Sequence, residues 1–445
     1  MARPPHNILP ALLERALAEI PPGRGVWVAL SGGMDSSLLL MLAAEVCHAQ
    51  GRALYAFHVN HGLQDAAAEF ESHSRDLCRK LDVALTVASV DASAKGRGVE
   101  GAAREARYAA FARHVPPGDT LWLAQHQTDQ AETWLLAALR GSGVRGLGAM
   151  PGHRTLGGIT LMRPWLDVSH QALADEAQAL KRAGKLGWCD DPTNADTYFE
   201  RNYLRHRVLP LLQARWPHAE RALATTAHHM QDADALLTAY ASDELSTLIL
   251  APGQLDAKAL ATRSRARQRL LVRTFCQQQR LAKPPARRLD TLLDQLNAGA
   301  DAQVYVAWPS ACARVWRGRL YLFTEERLTA RAAQPEWRAS WSSGIPCATP
   351  LGEVMIKAEG AAAETTLPLA MSWRQGGEVI RLAGRGRRDL KRLLAELGVP
   401  PWERHEVMVV WAGDTCIAAF KAPETLLCQA AGWQISLARV SEPSG

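Results

Sequence analysis

The eight cysteines of this 445-residue sequence form no C-x-x-C pair, and even the two closest, Cys416 and Cys428, are well separated. Zinc ribbons and iron–sulfur clusters need closely spaced cysteine ligands, so this spacing argues against both kinds of site. We therefore expect reduced thiols that are buried or inert.

The sequence also shows neither the pattern of a secretory leader nor that of a membrane span. Its first residues, MARPPHNILPALLERALAEI, have no continuous apolar core, because Arg3, Glu14, Arg15 and Glu19 interrupt it. No window approaches an uninterrupted apolar span, and no internal repeat or low-complexity tract is evident. These absences predict a cytoplasmic protein that does not associate with membranes.

Charges of both signs are present, with basic residues in slight excess. The net charge is +6 and the pI is near 8.9, which suggests a polyanion as partner. The basic residues concentrate in two stretches, TRSRARQRLLVR at 262–273 and IRLAGRGRRDLKRLL at 380–394. Local clusters of this kind fit a phosphate backbone better than diffuse charge does.

The first part of the chain alternates short apolar runs with helical segments such as Asp65 to Leu81 and Ala102 to Arg113. This alternation predicts βαβ units and a parallel, doubly wound, five-stranded sheet. Ligands of such sheets bind at the carboxyl ends of the strands. The expected strands are Val26 to Leu30, Leu54 to Val59, Leu85 to Val90, Leu121 to Ala124 and Ile159 to Met162.

The length exceeds that of most single cores, so we expect three domains. The α/β domain covers residues 1–216, and a largely helical domain follows at 217–335, where only RVWRGRLYLF reads as strand. A linker rich in Pro and Gly precedes a small α+β domain at 345–445, whose helix we expect at Arg387 to Leu397.

The stretch SGGMDSS, Ser31 to Ser37, lies between a strong strand and a strong helix. A Gly-Gly turn lets the backbone approach phosphate, and the following helix offers free N–H groups and a positive dipole end. Asp35 stands where a Walker loop has its Lys. The alternative is an ordinary βα turn in which Ser or Asp caps the helix without any ligand.

SGGMDSS resembles the PP-loop of the ATP-pyrophosphatase superfamily, which has an adenine nucleotide alpha hydrolase-like fold. The resemblance implies that the loop binds ATP, that Asp35 holds Mg²⁺, and that pyrophosphate leaves as an acceptor is adenylated. A carboxylate in an anion site is consistent with a bound cation. The implied ATP-binding residues are Ser31, Gly32, Gly33, Met34, Asp35, Ser36, Ser37 and His58.

Four further motifs narrow the resemblance. They are HVNHGL from His58, AREARY with Arg104 and Arg107, TDQAET with Asp129 and Glu132, and DPTN followed by RNYLR with Arg201 and Arg205. Together they are similar to tRNA(Ile)-lysidine synthetases, and WRQGGEVIRLAGRGRRDLKRLL at 373–394 resembles the C-terminal domain of the longer members. Members of that family typically read H-H-x-D-D-Q-A-E-T, whereas this sequence has Gln125 and Thr128 at two of those positions.

Each motif also has a purely structural alternative. Arg104 lies three residues before Arg107, and the two side chains would share one helix face. In the structural alternative this face is solvated, with an ion pair between Glu100 and Arg104. Asp129 and Glu132 could serve only the helix dipole, worth about 0.3–1 kcal/mol each. The basic residues of RNYLR could form a solvated face.

The resemblance implies a two-step reaction on the wobble cytidine of a CAU anticodon. ATP adenylates the carbon-2 oxygen, and free L-lysine then displaces AMP to give lysidine. Asp35, Arg104, Asp129 and Glu132 are the implied catalytic residues, and the two carboxylates of TDQAET hold the lysine. The implied tRNA-binding residues are Arg201, Arg205, Arg385, Arg387, Arg388, Lys391 and Arg392. The oligomeric state stays open between a monomer and a homodimer.

Three alternatives remain open. A tRNA thiolase would activate the base in the same way but deliver sulfur, and the lack of a C-x-x-C pair argues against it. An amidating enzyme like GMP or NAD synthetase would share the loop but leave HVNHGL and the arginine clusters unexplained. A non-catalytic RNA-binding protein would not need an intact loop and acid pair.

Overall fold

The computed structural model describes residues 8–60, 67–90, 99–299, 302–324, 336–350, 352–359, 368–421 and 425–439. The chain forms two compact units, Met1–Leu237 and Thr238–Gly445. Among the described residues, no helix has both the length and the apolar character needed to cross a membrane.

The first unit contains a six-stranded sheet in the order β3-β2-β1-β4-β6-β5. Its first five strands in that order are parallel, which confirms the predicted sheet, and β5 pairs antiparallel with β6. Strand β5 was not predicted, because three of its four residues are exposed and it carries no apolar run. The strands are β1 Val26–Ala29, β2 Leu54–Asn60, β3 Ala84–Ser89, β4 Thr120–Trp122, β5 His153–Leu156 and β6 Ile159–Met162.

Apolar residues cover both faces of this sheet. Val26 and Val28 pack into one core with Leu38, whereas Trp27 and Phe57 pack into a second core on the other face. A parallel strand that is buried on both faces must be apolar throughout, which is why the strands were visible as continuous hydrophobic runs.

Helices connect the strands and extend the unit beyond β6. They are α1 Ile8–Ala18, α2 Met34–Ala49, α3 Ala67–Lys80, α4 Val99–His114, α5 Gln127–Leu139, α6 Val144–Leu147, α7 His170–Arg182, α8 Glu200–Tyr203 and α9 Leu209–Arg215. Residues Asp65 and Ala66, at the start of one predicted helix, lie outside the described residues. A π-helical turn at Leu204–Val208 joins α8 to α9.

The region predicted to be helical contains helices and also a sheet. The helices are α10 Ala219–Leu248, α11 Ala257–Ala261, α12 Arg265–Gln278 and α13 Ala286–Asp294. Five antiparallel strands accompany them in the order β7-β8-β11-β10-β9, where only the one stretch RVWRGRLYLF had been expected to form strand. The strands are β7 Ile249–Ala251, β8 Gln254–Asp256, β9 Val304–Trp308, β10 Ala311–Trp316 and β11 Arg319–Thr324.

The remainder of the second unit is the expected α+β structure, with a seven-stranded and a three-stranded sheet. Its elements are β12 Arg338–Trp341, β13 Pro346–Thr349, β14 Gly352–Glu359, β15 Leu369–Trp373, β16 Val379–Leu382, β17 Gly386–Asp389, α14 Leu390–Glu396, β18 Val407–Ala412, β19 Thr415–Lys421, β20 Thr425–Gln429 and β21 Gln434–Arg439. The three-domain division itself stays a prediction, and its boundary at 335 lies outside the described residues.

The predicted C-terminal helix was wrong at its start. Arg387 and Arg388 belong to strand β17, and α14 begins at Leu390. The side chain of Asp389 accepts a hydrogen bond from the Arg392 amide at 2.9 Å, so Asp389 caps the helix. A residue in the cap position has non-helical backbone angles, which fixes the helix start after it.

Candidate active site

The loop after β1 needs glycine at its first turn. Gly32 has φ +89°, and a Cβ atom there would lie 3.0 Å from Phe70 Cδ1 and 3.4 Å from Ser74 Oγ. Both the backbone conformation and the space therefore exclude a side chain. Gly32 itself is buried against Phe70 and Ser74 where the chain passes from β1 into α2.

The helix that follows the loop begins without a side-chain cap. Gly33 is the capping residue of α2 and supplies no side-chain hydrogen bond. The loop serines bond each other instead: Ser31 Oγ lies 2.9 Å from Ser36 Oγ, which also accepts from the Ser31 amide at 3.1 Å. The alternative in which Ser or Asp caps this helix is therefore not what the structure contains, and the helix end presents its dipole to an anion.

Asp35 lies in the first turn of α2 with its carboxyl directed at two histidines. His126 Nε2 is 3.8 Å from Asp35 Oδ2, and Asp35, His126 and His170 offer ligand atoms within 4.8 Å of one another. The second oxygen, Oδ1, is buried and has no hydrogen-bond partner among the described residues. Burial raises the pKa of Asp35, and the two histidines oppose this shift.

His126 occupies the cap position of α5, which sequence analysis did not predict. Its Nδ1 accepts a hydrogen bond from the Thr128 amide at 3.3 Å, and its own amide donates to Asp129 Oδ2 at 3.1 Å. An imidazole that accepts at Nδ1 carries its neutral-state proton on Nε2. That proton faces Asp35 and Asp129, so His126 is suited to donate a hydrogen bond rather than to ligate a cation.

The two carboxylates of α5 meet one arginine. Arg205 Nη2 donates to Asp129 Oδ1 at 3.0 Å, and Arg205 Nε donates to Glu132 Oε1 at 2.7 Å. The Glu132 side chain is fully buried, and its Oε2 lies 3.9 Å from Arg201 Nη1. Burial disfavours the charged guanidinium, but Glu132 and Asp129 together raise the pKa of Arg205.

These groups surround a cavity of about 900 Å³, which is large enough for a nucleotide and part of a second substrate. Asp129 lines it, whereas the buried Glu132 is not among its lining residues. Of the predicted site residues, those that line the cavity are Ser31, Gly33, Met34, Asp35, Ser36, His58, Arg104, Asp129, Arg201 and Arg205. Ser37 is buried beneath the loop.

His58 connects β2 through a hydrogen bond to the residue that follows β1. Its Nδ1 lies 2.9 Å from the Leu30 carbonyl oxygen and therefore carries the proton that is donated there. Burial is the main cause of the lowered pKa of His58, which keeps the ring neutral. The rest of the HVNHGL motif from His61 onward lies outside the described residues.

Arg104 faces the cavity from α4. Its Nη2 donates to the Tyr108 hydroxyl at 3.2 Å, and its guanidinium lies 4.9 Å from the centre of the Tyr108 ring. Arg107 lines the same cavity. The alternative ion pair with Glu100 involves a side chain outside the described ones.

Thr128 and Gln125, the two residues that depart from the family motif, both form side-chain hydrogen bonds in the structure. Thr128 Oγ1 donates to Glu220 Oε2 at 2.9 Å, and Gln213 holds the other oxygen of Glu220 at 2.9 Å. Gln125 accepts a hydrogen bond from the buried Arg163. Sequence reasoning missed both Glu220 and the contact of Arg163.

The five basic residues predicted in the C-terminal region lie in the second unit. All are exposed, and Arg385 pairs with Glu396 at 2.9 Å. Among the described residues, no acid pairs with the other four. These four are Arg387, Arg388, Lys391 and Arg392.

The parallel sheet, the uncapped loop and the acid-lined cavity define a nucleotide-binding protein of the PP-loop class. A family model described as a PP-loop domain matches residues 9–212. Models described as the TilS substrate binding domain and the TilS substrate C-terminal domain match residues 255–321 and 369–435.

Curated relatives specify the family. A tRNA(Ile)-lysidine synthase of Pseudomonas putida is 41% identical over 410 residues, covering 89% of this chain and 92% of that protein. One of Xanthomonas axonopodis pv. citri is 39% identical and covers 93% of each chain. The chain belongs to the tRNA(Ile)-lysidine synthase family.

Proposed function

We propose that the protein uses ATP to ligate lysine to carbon-2 of the wobble cytidine in the CAU anticodon of tRNA(Ile), through an adenylated cytidine. The observation that carries the proposal is a cavity whose lining contains groups that favour charges of opposite sign. The uncapped α2 terminus favours an anion, whereas Asp129 beside it favours an ammonium group.

The first step needs the pyrophosphate of ATP to be held as it leaves. The amides at the start of α2 would supply donors for it, because that helix end has no side-chain cap and Gly33 and Met34 line the cavity. The hydroxyls of Ser31 and Ser36 bond each other and the Gly33 carbonyl oxygen, which fixes the loop. Arg104 projects from α4 into the same cavity, where its charge would stabilise the adenylated intermediate. Fixed donors of this kind lower the barrier because they need no reorganisation as charge develops.

Asp35 is the residue that would hold Mg²⁺. Its Oδ1 is buried and has no hydrogen-bond partner within the part of the chain that the structure describes, which fits a hard cation that prefers carboxylate oxygen. When bound, Mg²⁺ would neutralise charge on the phosphates. We expect Asp35→Ala to lose Mg²⁺-dependent ATP binding in calorimetry while Mg²⁺-free binding is retained, and equal Mg²⁺ dependence in both proteins would exclude the assignment.

The second step needs a site for the amino groups of lysine. Asp129 is available to the cavity, and its carboxylate could also take the proton as the amine attacks. Glu132 contributes through Arg205, because that arginine bridges the two acids and fixes their orientation. We therefore propose that Asp129 contacts the lysine and that Glu132 acts through Arg205 without contacting the lysine.

The raised pKa values of the cysteine thiols argue against the thiolase alternative. Cys189 lines the cavity, but burial raises the pKa of its thiol, whereas a catalytic thiolate needs a lowered one. Burial also raises the pKa of Cys47 to about 11 and that of Cys276 to about 12. All eight cysteines are free, as expected for inert thiols.

The second unit would hold the body of the tRNA through its exposed basic cluster. The reacting base cannot be attacked while stacked, so it must be turned out into the cavity. A cytoplasmic location and a choice between monomer and homodimer stay predictions.

The decisive experiment supplies radiolabelled lysine, ATP and a CAU-anticodon tRNA(Ile) transcript. We expect label in the RNA that depends on ATP and is lost when the wobble base is uridine. No incorporation of lysine, or incorporation of sulfur when a donor is supplied, would contradict the proposal.

A further inference from the structure

A second groove lies on the other side of the helical stretch that carries Arg201 and Arg205. It has a volume of about 530 Å³ and is lined by Tyr203, His206, Arg207, Pro210 and Leu211. Tyr203 is 52% exposed and Leu211 is 73% exposed. No step of the proposed reaction uses these side chains.

The local helix geometry separates the two faces. Residues two apart on a helix point to nearly opposite sides, because a turn contains 3.6 residues. Arg205 therefore points to the cavity and bonds Asp129, whereas Tyr203 and Arg207 point to the groove. The π-helical turn at Leu204–Val208 lies between the faces, and such turns often occur at functional sites.

The groove combines the groups that single-stranded nucleic acid requires. Tyr203 offers an exposed ring for stacking, and the exposed Arg207 offers hydrogen bonds and positive charge beside it. Along the chain, Tyr198 is 89% exposed and Trp216 is 60% exposed, with exposed Arg215 next to the tryptophan. An exposed aromatic ring beside an arginine fits a base and its phosphate better than it fits an apolar protein segment.

The groove is connected to the rim of the cavity. Asn202 donates to the carbonyl oxygens of Thr193 and Asp196 at 2.8 and 2.9 Å, and His206 Nε2 lies 2.7 Å from the Asn194 carbonyl oxygen. Asn194 itself lines the cavity. One helix diameter, roughly 10–12 Å, separates the two faces, so neighbouring nucleotides of one loop could reach both.

We propose that this groove binds unpaired anticodon-loop nucleotides adjacent to the reacting cytidine and stacks one of their bases on Tyr203. The proposal rests on the proposed function, because it assigns the reacting cytidine to the cavity. Nucleotides bound in the groove hold the RNA strand beside the cytidine while the cytosine base is turned out into the cavity. Its contribution therefore appears in RNA binding rather than in binding of ATP or lysine.

The test uses a stem-loop RNA of the CAU anticodon arm with 2-aminopurine at one loop position beside the cytidine. With the wild-type protein we expect the fluorescence of this base to be quenched on binding. Tyr203→Ala should abolish the quenching and weaken RNA binding about tenfold, and Tyr203→Phe should restore both because the ring is retained. Arg207→Gln should weaken binding and lower its salt dependence.

The control variant is Tyr240→Ala, which removes a 71% exposed tyrosine far along α10. Normal ATP binding by each variant shows that the first unit is folded. If Tyr203→Ala binds and quenches like wild type, the proposed groove is wrong. If the wild-type protein binds and quenches this RNA and Tyr203→Ala does not, but lysine is never incorporated, the groove stands and the proposed function fails.

Discussion

Two sets of arginines in this protein are exposed to very different degrees and have different partners. In the first unit, Arg205 is held by Asp129 and the fully buried Glu132 at the edge of the cavity. In the second unit, Arg387 and Arg388 lie exposed on strand β17. The Arg205 side chain is 36% exposed, and a partly buried charge with fixed partners is screened less by salt than a charge that lies fully in solvent.

A third set shows that a basic stretch in the sequence is not by itself a free basic surface. Arg263 and Arg267 both pair with Glu244, at 2.6 and 2.8 Å. Arg265 pairs with Asp294 and Arg269 with Asp290. The stretch 262–273 therefore offers a polyanion much less net charge than its composition indicated, and the cluster around β17 is the better surface.

The largest expected effect comes from the cavity acid. Asp129→Asn should reduce lysine transfer at least about a hundredfold, since the amide keeps the shape and can still accept the His126 hydrogen bond but cannot bind an ammonium group as strongly. Single-turnover lysine incorporation measures this. The exposed Asp175→Asn on α7 serves as control, and a near wild-type rate for Asp129→Asn would exclude its role.

Removing the arginine between the two acids should cost stability as well as activity. Arg205→Ala leaves Glu132 buried without its closest cation, and such one-sided removal costs about 3–5 kcal/mol. Urea denaturation should show a lower midpoint for this variant. The double variant Arg205→Ala/Glu132→Gln should recover part of the loss, and equal midpoints for the two variants would contradict the buried-charge explanation.

The exposed cluster should affect RNA affinity without affecting the chemistry. Arg387→Gln/Arg388→Gln should lower the slope of log affinity against log salt by about 2, roughly one for each phosphate that is no longer neutralised. Titration of full-length tRNA at several salt concentrations measures the slope. Arg263→Gln/Arg267→Gln is the matched control, and an equal change in it would remove the distinction between paired and free arginines.

The smallest expected effect concerns pH. Because burial lowers the pKa of His58 in the folded state, the unfolded chain binds its proton first as pH falls. The contribution of the neutral His58 ring to folding stability is therefore fully present above about pH 6.5, the ordinary pKa of histidine. It is lost as the pH falls towards the pKa of His58 in the folded state.

His58→Asn should therefore lose less thermal stability than wild type between about pH 7.5 and 5.5. Melting temperatures at the two pH values measure the difference. The exposed His229→Asn should keep the wild-type pH dependence. If His58→Asn keeps it too, burial of His58 is not a source of acid sensitivity.

Most of the first unit could be predicted because its signals are local. The five parallel strands are continuous apolar runs, and the loop after β1 is a compact motif at a strand end. The middle sheet was largely missed, since strands such as β7 and β8 are only three residues long and carry no clear alternation. The start of α14 was misplaced because Asp389 was taken as part of the helix it caps.

The site was predicted in its residue types but not in its contacts. Asp35, Asp129 and Arg205 were identified from motifs, but nothing in the sequence indicated that Arg205 would bridge the acids of α5. The Thr128 contact with Glu220 joins residues 92 positions apart. Contacts at such separations depend on how helices pack, which a single sequence does not reveal.

The sequence by itself determined that the chain has a doubly wound sheet with a glycine loop at its first strand end, and that the loop carries a carboxylate. These features follow from backbone sterics and from the burial of apolar strands, and both depend on residues that are neighbours in the sequence. Only the tertiary structure decided which charges are neutralised and which remain available. Electrostatic strength depends on distance and burial, and the fold sets both by bringing remote acids to Arg205 and Arg263 while leaving Arg387 and Arg388 in solvent.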